Sequence, residues 1–131
     1  MSKQVKTLLW LDDFRDPFEG NWLELYAPEY FYTTGINLLT KPYSVAVVWV
    51  KHYYYFIKWI NDNGLPDMIC FDHDLGGSIH TGYDCAKWLI DYCISTDKPL
   101  PKWNIQSANP VGKENIRSVL LNFEKHQRGE V

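Results

Sequence analysis

Short, wholly apolar runs alternate with segments of helical period along this chain. Leu8-Leu9-Trp10-Leu11 is such a run, stopped by Asp12-Asp13, and an uninterrupted apolar run of this length is what a strand buried on both faces requires. Val45-Ala46-Val47-Val48-Trp49-Val50 is a second, largely β-branched run, and after it Tyr53, Phe56, Ile57 and Ile60 fall at helical spacing until Gly64. Pro66 precedes a third run, Met68-Ile69-Cys70-Phe71, ended by Asp72-His73-Asp74 and the turn Leu75-Gly76-Gly77. Residues 82–95 put Ala86, Leu89, Ile90, Cys93 and Ile94 on one helical stripe, and Trp103-Asn104-Ile105-Gln106 follows Pro99 and Pro101 as a fourth strand. Asn109-Pro110 opens a last helix, with Asn as N-cap and Pro in the first helical position, and a buried stripe of Ile116, Val119, Leu120 and Phe123. Residues 14–44 hold no period because Pro17, Gly20, Pro28, Gly35 and Pro42 interrupt them, so loops with short helical turns at 22–26 and 37–39 are expected. Strands alternating with helices predict an α/β domain: a parallel sheet covered on both faces and built from right-handed crossovers.

Composition narrows the functions open to such a domain. At 131 residues, 46% hydrophobic and 16% aromatic, the chain suffices for one core, a single domain over 1–131, and carries too much rigid apolar surface to be disordered. Its formal net charge of -3 sets up a field that repels phosphodiester backbone, so a long nucleic-acid tract is not an expected partner. A nucleic-acid role would have to be local, at an end or a single nucleotide. Cys70, Cys85 and Cys93 form no CxxC pair and are odd in number, which fits reduced, buried thiols in a cytoplasmic protein. No apolar stretch approaches the roughly 20 residues that span a bilayer, so no membrane partner is expected.

Polar residues gather where three of the four strands end: Asp12-Asp13, Asp72-His73-Asp74 and Ser107-Ala108-Asn109. In an open α/β sheet the ligand crevice lies beyond the carboxyl ends of the strands, and a strand order of 2-1-3-4 makes the first and third strands neighbours. Their acids then converge, and packed carboxylates repel one another unless a cation neutralises them. Oxygen-only ligands suit Mg²⁺, with Asp12, Asp13 and Asp72 as its holders. Asp12-Asp13 equally fits a strand terminator with an N-cap. His73 fits a proton-transfer group or a residue that orients a neighbour, with Asp74 beside it. His52, His80 and His126 are expected on the surface, His80 in a loop able to close over the site. Ser107 and Asn109 precede a helix N-terminus whose free amides attract anions, although an ordinary cap accounts for them as well. Arg15 and Lys113 are the nearby cations for a phosphate. The aromatic run from Trp49 to Phe56 is expected in the core, with any surplus as an interface.

The acidic pair after the first strand, Asp72 after the third and Ser107-Ala108 after the fourth resemble the receiver domain of response regulators. A receiver continues through a fifth strand carrying Lys-Pro, which this chain lacks. The sequence is more similar to the cyclic-phosphate processing receiver-like family, whose pattern runs LDD-x-R-x-P, DHDLG, TGYD and SANP-x-G. Here these blocks are Leu11-Asp12-Asp13-Phe14-Arg15-Asp16-Pro17, Asp72-His73-Asp74-Leu75-Gly76, Thr81-Gly82-Tyr83-Asp84 and Ser107-Ala108-Asn109-Pro110-Val111-Gly112. The resemblance implies a flavodoxin-like three-layer sandwich with a four-stranded parallel sheet in order 2-1-3-4 and the fifth receiver strand absent. It also implies a metal-assisted phosphoesterase-like activity on cyclic or terminal phosphates of RNA or nucleotides, in RNA repair or phage–host conflict. In that scheme Asp12, Asp13 and Asp72 hold Mg²⁺, and Asp72, His73 and Asp74 are the catalytic candidates, with His73 or Asp74 moving a proton. Arg15, Ser107, Asn109 and Gly112 grip the phosphate. A variant makes Asp72 a covalent nucleophile toward phosphorus, as in receivers. Two departures stand out: the family pattern carries His before the serine where this chain has Gln106, and residues 23–44 are longer and more aromatic. The alternative is a catalytically silent module that binds a nucleotide, or a host protein through its aromatic surface or its free sheet edge.

Overall fold

The computed structural model describes residues 4–31, 43–77 and 79–129. In chain order its elements are β1 (Gln4–Leu11), α1 (Trp22–Tyr26), α2 (Pro28–Phe31), β2 (Tyr43–Val50), α3 (Tyr53–Asn63), β3 (Met68–Phe71), α4 (Gly82–Thr96), β4 (Lys102–Ile105) and α5 (Pro110–Gln127). The four strands form one parallel sheet in the order β2-β1-β3-β4, as the alternation of patterns and the crevice argument require. β1 begins four residues before its apolar run. Residues 4–7 pair with β2 alone, and β3 joins only at Leu8, so one side of that stretch needs no apolar cover.

Side chains alternate across the pleat, so each buried strand feeds two cores. On one face Leu9, Leu11, Ile69, Phe71 and Ile105 meet Phe56 and Ile60 of α3, Leu89 and Cys93 of α4, and Ile116, Leu120 and Phe123 of α5. On the other, Leu8, Trp10, Met68 and Cys70 meet Leu23, Ala27 and Tyr30 from the two short helices α1 and α2. The three layers of a receiver-like, flavodoxin-like sandwich follow from this division. The expected turn at 22–26 is α1; the one at 37–39 lies outside the described residues. All three cysteines are free and buried, with their thiol pKa values raised by burial, that of Cys93 to about 11. Among the described residues no helix is long and apolar enough to cross a membrane.

Two expectations about burial need correction. Ile94 is 63% exposed, because α4 turns Cys85, Ala86, Leu89 and Cys93 inward and Ile94, one residue beyond Cys93, points out of its last turn. Within the aromatic run Phe56 is buried, but Tyr54 and Tyr55 are 71% and 60% exposed, since α3 buries only the stripe through Phe56 and Ile60.

Helix ends match their sequence signals. Thr81 Oγ1 accepts from the Asp84 amide while Asp84 Oδ2 accepts from the Thr81 amide, a capping box that starts α4. Asn109 caps α5 with Pro110 in its first turn. Substitution separates the two isoleucines: Ile69→Ala, in the sealed centre of the sheet, should cost about 2–5 kcal/mol, and Ile94→Ala less than about 0.5 kcal/mol. Urea midpoints at unchanged slope measure both.

Candidate functional site

The sheet register positions the acids. Leu11 is level with Val50 and with Phe71, and Phe71 with Ile105, so the residues that follow, Asp12, Asp72 and Gln106, leave three adjacent strands side by side. Neighbouring strands lie about 4.8 Å apart, which leaves the carboxylates of Asp12 and Asp72 little choice but to meet. One oxygen from each of Asp12, Asp13 and Asp72 lies within 4.8 Å of the others.

Asp12 is fully buried and its charge is well compensated. Its Oδ1 accepts from the amides of Phe14 and Arg15 at 2.9 and 2.8 Å, and its Oδ2 from Arg15 Nη1 at 3.2 Å and Gln106 Nε2 at 3.4 Å. Its backbone carbonyl accepts from Trp49 Nε1 at 2.6 Å. Asp72 is less well served. Arg15 Nη1 stands 3.6 Å from its Oδ2, and burial, then the charge of Asp12, push its pKa up to about 7, against the opposing pull of Arg15. Arg15 is therefore not a free phosphate arm here: its guanidinium lies between two of the acids and 5.2 Å above the Trp22 ring.

His73 and Asp74 form a second group against α5. His73 Nδ1 and Asp74 Oδ1 are 2.8 Å apart, and Asn109 Nδ2 donates to the same oxygen at 3.3 Å. These bonds hold the Asp74 carboxyl below its ordinary pKa, the one from His73 most strongly. The His73 ring rests on the first turn of α5 so closely that a Cβ on Gly112 would come within 2.3 Å of it, and only glycine fits there. Gly82 plays the same part at the other end of the loop, where a Cβ would lie 1.8 Å from the Asp72 carbonyl oxygen.

The expected anion site at α5 is closed on itself. The Gly112 amide donates to Asn109 Oδ1 at 3.0 Å, and Ser107 Oγ accepts from the Asn109 amide at 3.1 Å. An anion reaching that amide has to displace the cap. His80 does not lie over the acids: its ring packs edge-on against Tyr53 at 4.1 Å and its Nδ1 is 3.6 Å from Asp84. The site thus gathers Asp12, Asp13, Asp72 and Arg15 in one cluster, and His73, Asp74, Ser107, Asn109 and Gly112 in an adjoining one.

Sequence reasoning treated Gln106 only as a missing histidine, yet it is a structural member of the first cluster. It is buried and donates from Nε2 to the Leu11 carbonyl at 3.0 Å as well as to Asp12. Both of those partners only accept, which fixes the amide orientation and leaves Oε1 with no hydrogen-bond partner among the described residues. The available signal was positional, because Gln106 follows its apolar strand as Asp12 and Asp72 follow theirs. Trp22 and Trp49 were also missed as supports of Arg15 and Asp12, since nothing in local sequence ties them to the acids.

Comparison with known proteins identifies the family and the fold. A family model described as a cyclic-phosphate processing receiver domain matches residues 7–122. Among solved structures, a fusion carrying a trimeric coiled-coil segment of yeast Spc42 aligns with a TM-score of 0.51 at 22% identity, covering 91% of this chain and 66% of that one. The similarity shows the fold alone. NtrX from Brucella abortus aligns with a TM-score of 0.43 at 13% identity over 95% of this chain, which spans 28% of that protein. Comparison with curated proteins finds no match.

The strained acid makes a pH signature. Because Asp72 binds its proton more tightly folded (about 7) than at its ordinary 3.8, its contribution to stability is full below about pH 4 and is lost as pH rises through 7. In EDTA, wild type should therefore lose urea stability between pH 5 and pH 8, and Asp72→Asn should flatten that slope. Arg15→Gln should steepen it. Equal slopes in wild type and Asp72→Asn contradict the assignment.

Proposed function

Since the chain belongs to the family of cyclic-phosphate processing receiver domains, we propose that it is a metal-dependent phosphoesterase acting on a cyclic or terminal phosphate of RNA or a nucleotide. RNA repair and phage–host conflict are the settings in which such ends arise. The observation that carries the proposal is the three-carboxylate cluster, with oxygens of Asp12, Asp13 and Asp72 within 4.8 Å of one another. The donor set is all oxygen and suits Mg²⁺. The raised pKa of Asp72 and the orphaned Oε1 of Gln106 both mark charge and hydrogen-bonding capacity that a hydrated cation satisfies. When bound, such an ion polarises a phosphoryl oxygen and lowers the pKa of a water it holds.

The chain's own groups take the remaining roles. Asp74 stays ionised and accepts from His73 Nδ1, so Nε2 is the nitrogen able to take or give a proton. Asp74 is then the orienting residue of the pair. Arg15 would be the phosphate clamp: a cation held by Asp12, Asp13 and Asp72 would take over the charge compensation that Arg15 gives Asp12 and Asp72, and its planar fork could then hold two phosphate oxygens. The Ser107 hydroxyl and the Asn109 side chain complete the grip on the phosphate once the cap opens toward it.

One observation favours the alternative, a catalytically silent nucleotide-binding module. Arg15 already pairs with two of the acids, and the α5 N-terminus is already capped. A single experiment decides between them. With Mg²⁺, wild type should gain melting temperature by mass action and hydrolyse a nucleoside 2′,3′-cyclic phosphate, while Asp13→Asn and Asp72→Asn keep the fold and lose both effects. Nucleotide binding without turnover, and without a Mg²⁺ shift, assigns the silent module.

A further inference from the structure

An open, largely apolar cleft runs from the C-terminal end of β2, the strand next to β1, along α3. It has a volume of about 450 Å³ and is lined chiefly by Trp49, Lys51, His52, Tyr55, Lys58 and Trp59, with Lys58 ion-paired to Asp62 in its wall. Four of these six side chains are flat rings, and of these only Trp49 has a bond to the acid cluster, through the Asp12 carbonyl. We infer that this cleft is a nucleobase subsite, which receives the base of the nucleotide whose phosphate lies at the acid cluster.

Three features point to a planar, charged ligand and away from an aliphatic one. Ring faces suit a base because every base offers a π-face, and stacking of this kind tolerates sequence. Lys51 Nζ lies 4.3 Å over the Trp49 ring and has no ion-pair partner among the described residues, so it sets a positive charge in the cleft itself. His52 and Tyr55, both in its lining, stand with ring centroids 5.8 Å apart. The wall is also preorganised. Trp49 Nε1 donates to the Asp12 carbonyl at 2.6 Å, and the Asp12 amide donates to the Val50 carbonyl at 3.0 Å. A ring that lines the cleft is thereby hydrogen-bonded to the backbone of Asp12, the residue that anchors the acid cluster. Preorganised ring walls bind at a lower ordering cost than mobile ones.

The inference rests on the proposed phosphate site, and its test separates the two. Full-length protein is titrated calorimetrically with adenosine 2′,3′-cyclic phosphate, with its abasic counterpart, 1-O-methylribose 2′,3′-cyclic phosphate, and with adenosine. The nucleotide should bind at least about fivefold more tightly than the abasic ester, the lower end of what one stacked base contributes. Tyr55→Ser, at an exposed position, should erase that preference and leave the abasic ester unaffected. Trp59→Leu, which keeps apolar volume where the ring meets the core, should do the same. Equal affinity for the nucleotide and the abasic ester in wild type overturns the subsite, as does a preference that survives both variants. A base preference and adenosine binding that persist without any turnover keep the subsite and refute the phosphoesterase. Equal turnover of both esters, without base preference, keeps the phosphoesterase and refutes the subsite. A trinucleotide with the same cyclic end distinguishes the source of the base: tighter binding than the mononucleotide assigns RNA ends, equal binding assigns free nucleotides, and either result places a base in the cleft.

Discussion

Asp12 and Asp72 leave adjacent parallel strands at the same level, and the arrangement around them answers the resulting repulsion. The backbone ladder enforces the contact. Leu11 and Phe71 are register partners, the Asp72 amide donates to the Leu11 carbonyl at 2.9 Å, and the next residue on each strand must emerge at the same rim. With Asp13 added, three carboxylates share a volume that one guanidinium partly neutralises. Burial amplifies the effect, since it takes the charges out of water just where they crowd.

The surroundings divide the load unevenly between the two strand-end acids. Asp12 receives two backbone amides, a guanidinium and a carboxamide, and so serves as the fixed anchor. Asp72 has the more distant Arg15 and the His73 amide to set against its burial and the charge of Asp12, and carries the tension as a raised pKa. Two glycines are sterically obligatory nearby: Gly82 lets the chain pass against the Asp72 carbonyl, and Gly112 lets the His73 ring lie on α5. The loops after β3 and β4 are thus pressed together at the rim, with the Asp74 carboxylate between His73 and Asn109.

The two faces of the sheet are built differently. α3, α4 and α5 cover one face, whereas the described part of the other is covered by the short α1 and α2. Those short helices also carry Trp22, over which Arg15 lies. The aromatic content of the 22–31 segment therefore contributes both to the second core and to the support of the one cation in the acid cluster.

Much of this was legible in the residues themselves. Apolar runs of four to six residues, each stopped by polar residues, determined the first three strands, and the alternation of strands with helices their parallel arrangement. Helical spacing and the caps at Thr81 and Asn109 located α4 and α5. The convergence of Asp12, Asp13 and Asp72 followed from strand order, because period-two geometry and strand ends are local properties that topology only has to bring together. Contacts between residues far apart in sequence were left to the tertiary structure. The placement of Arg15 among the acids, the seat of His73 on Gly112, the burial of Gln106 against Leu11 and the bond from Trp49 to Asp12 all depend on which side chains packing turns inward. The exposure of Ile94, Tyr54 and Tyr55 was decided in the same way. A hydrophobic pattern states which residues can be buried, and only the packing of one helix against the rest selects which of them are.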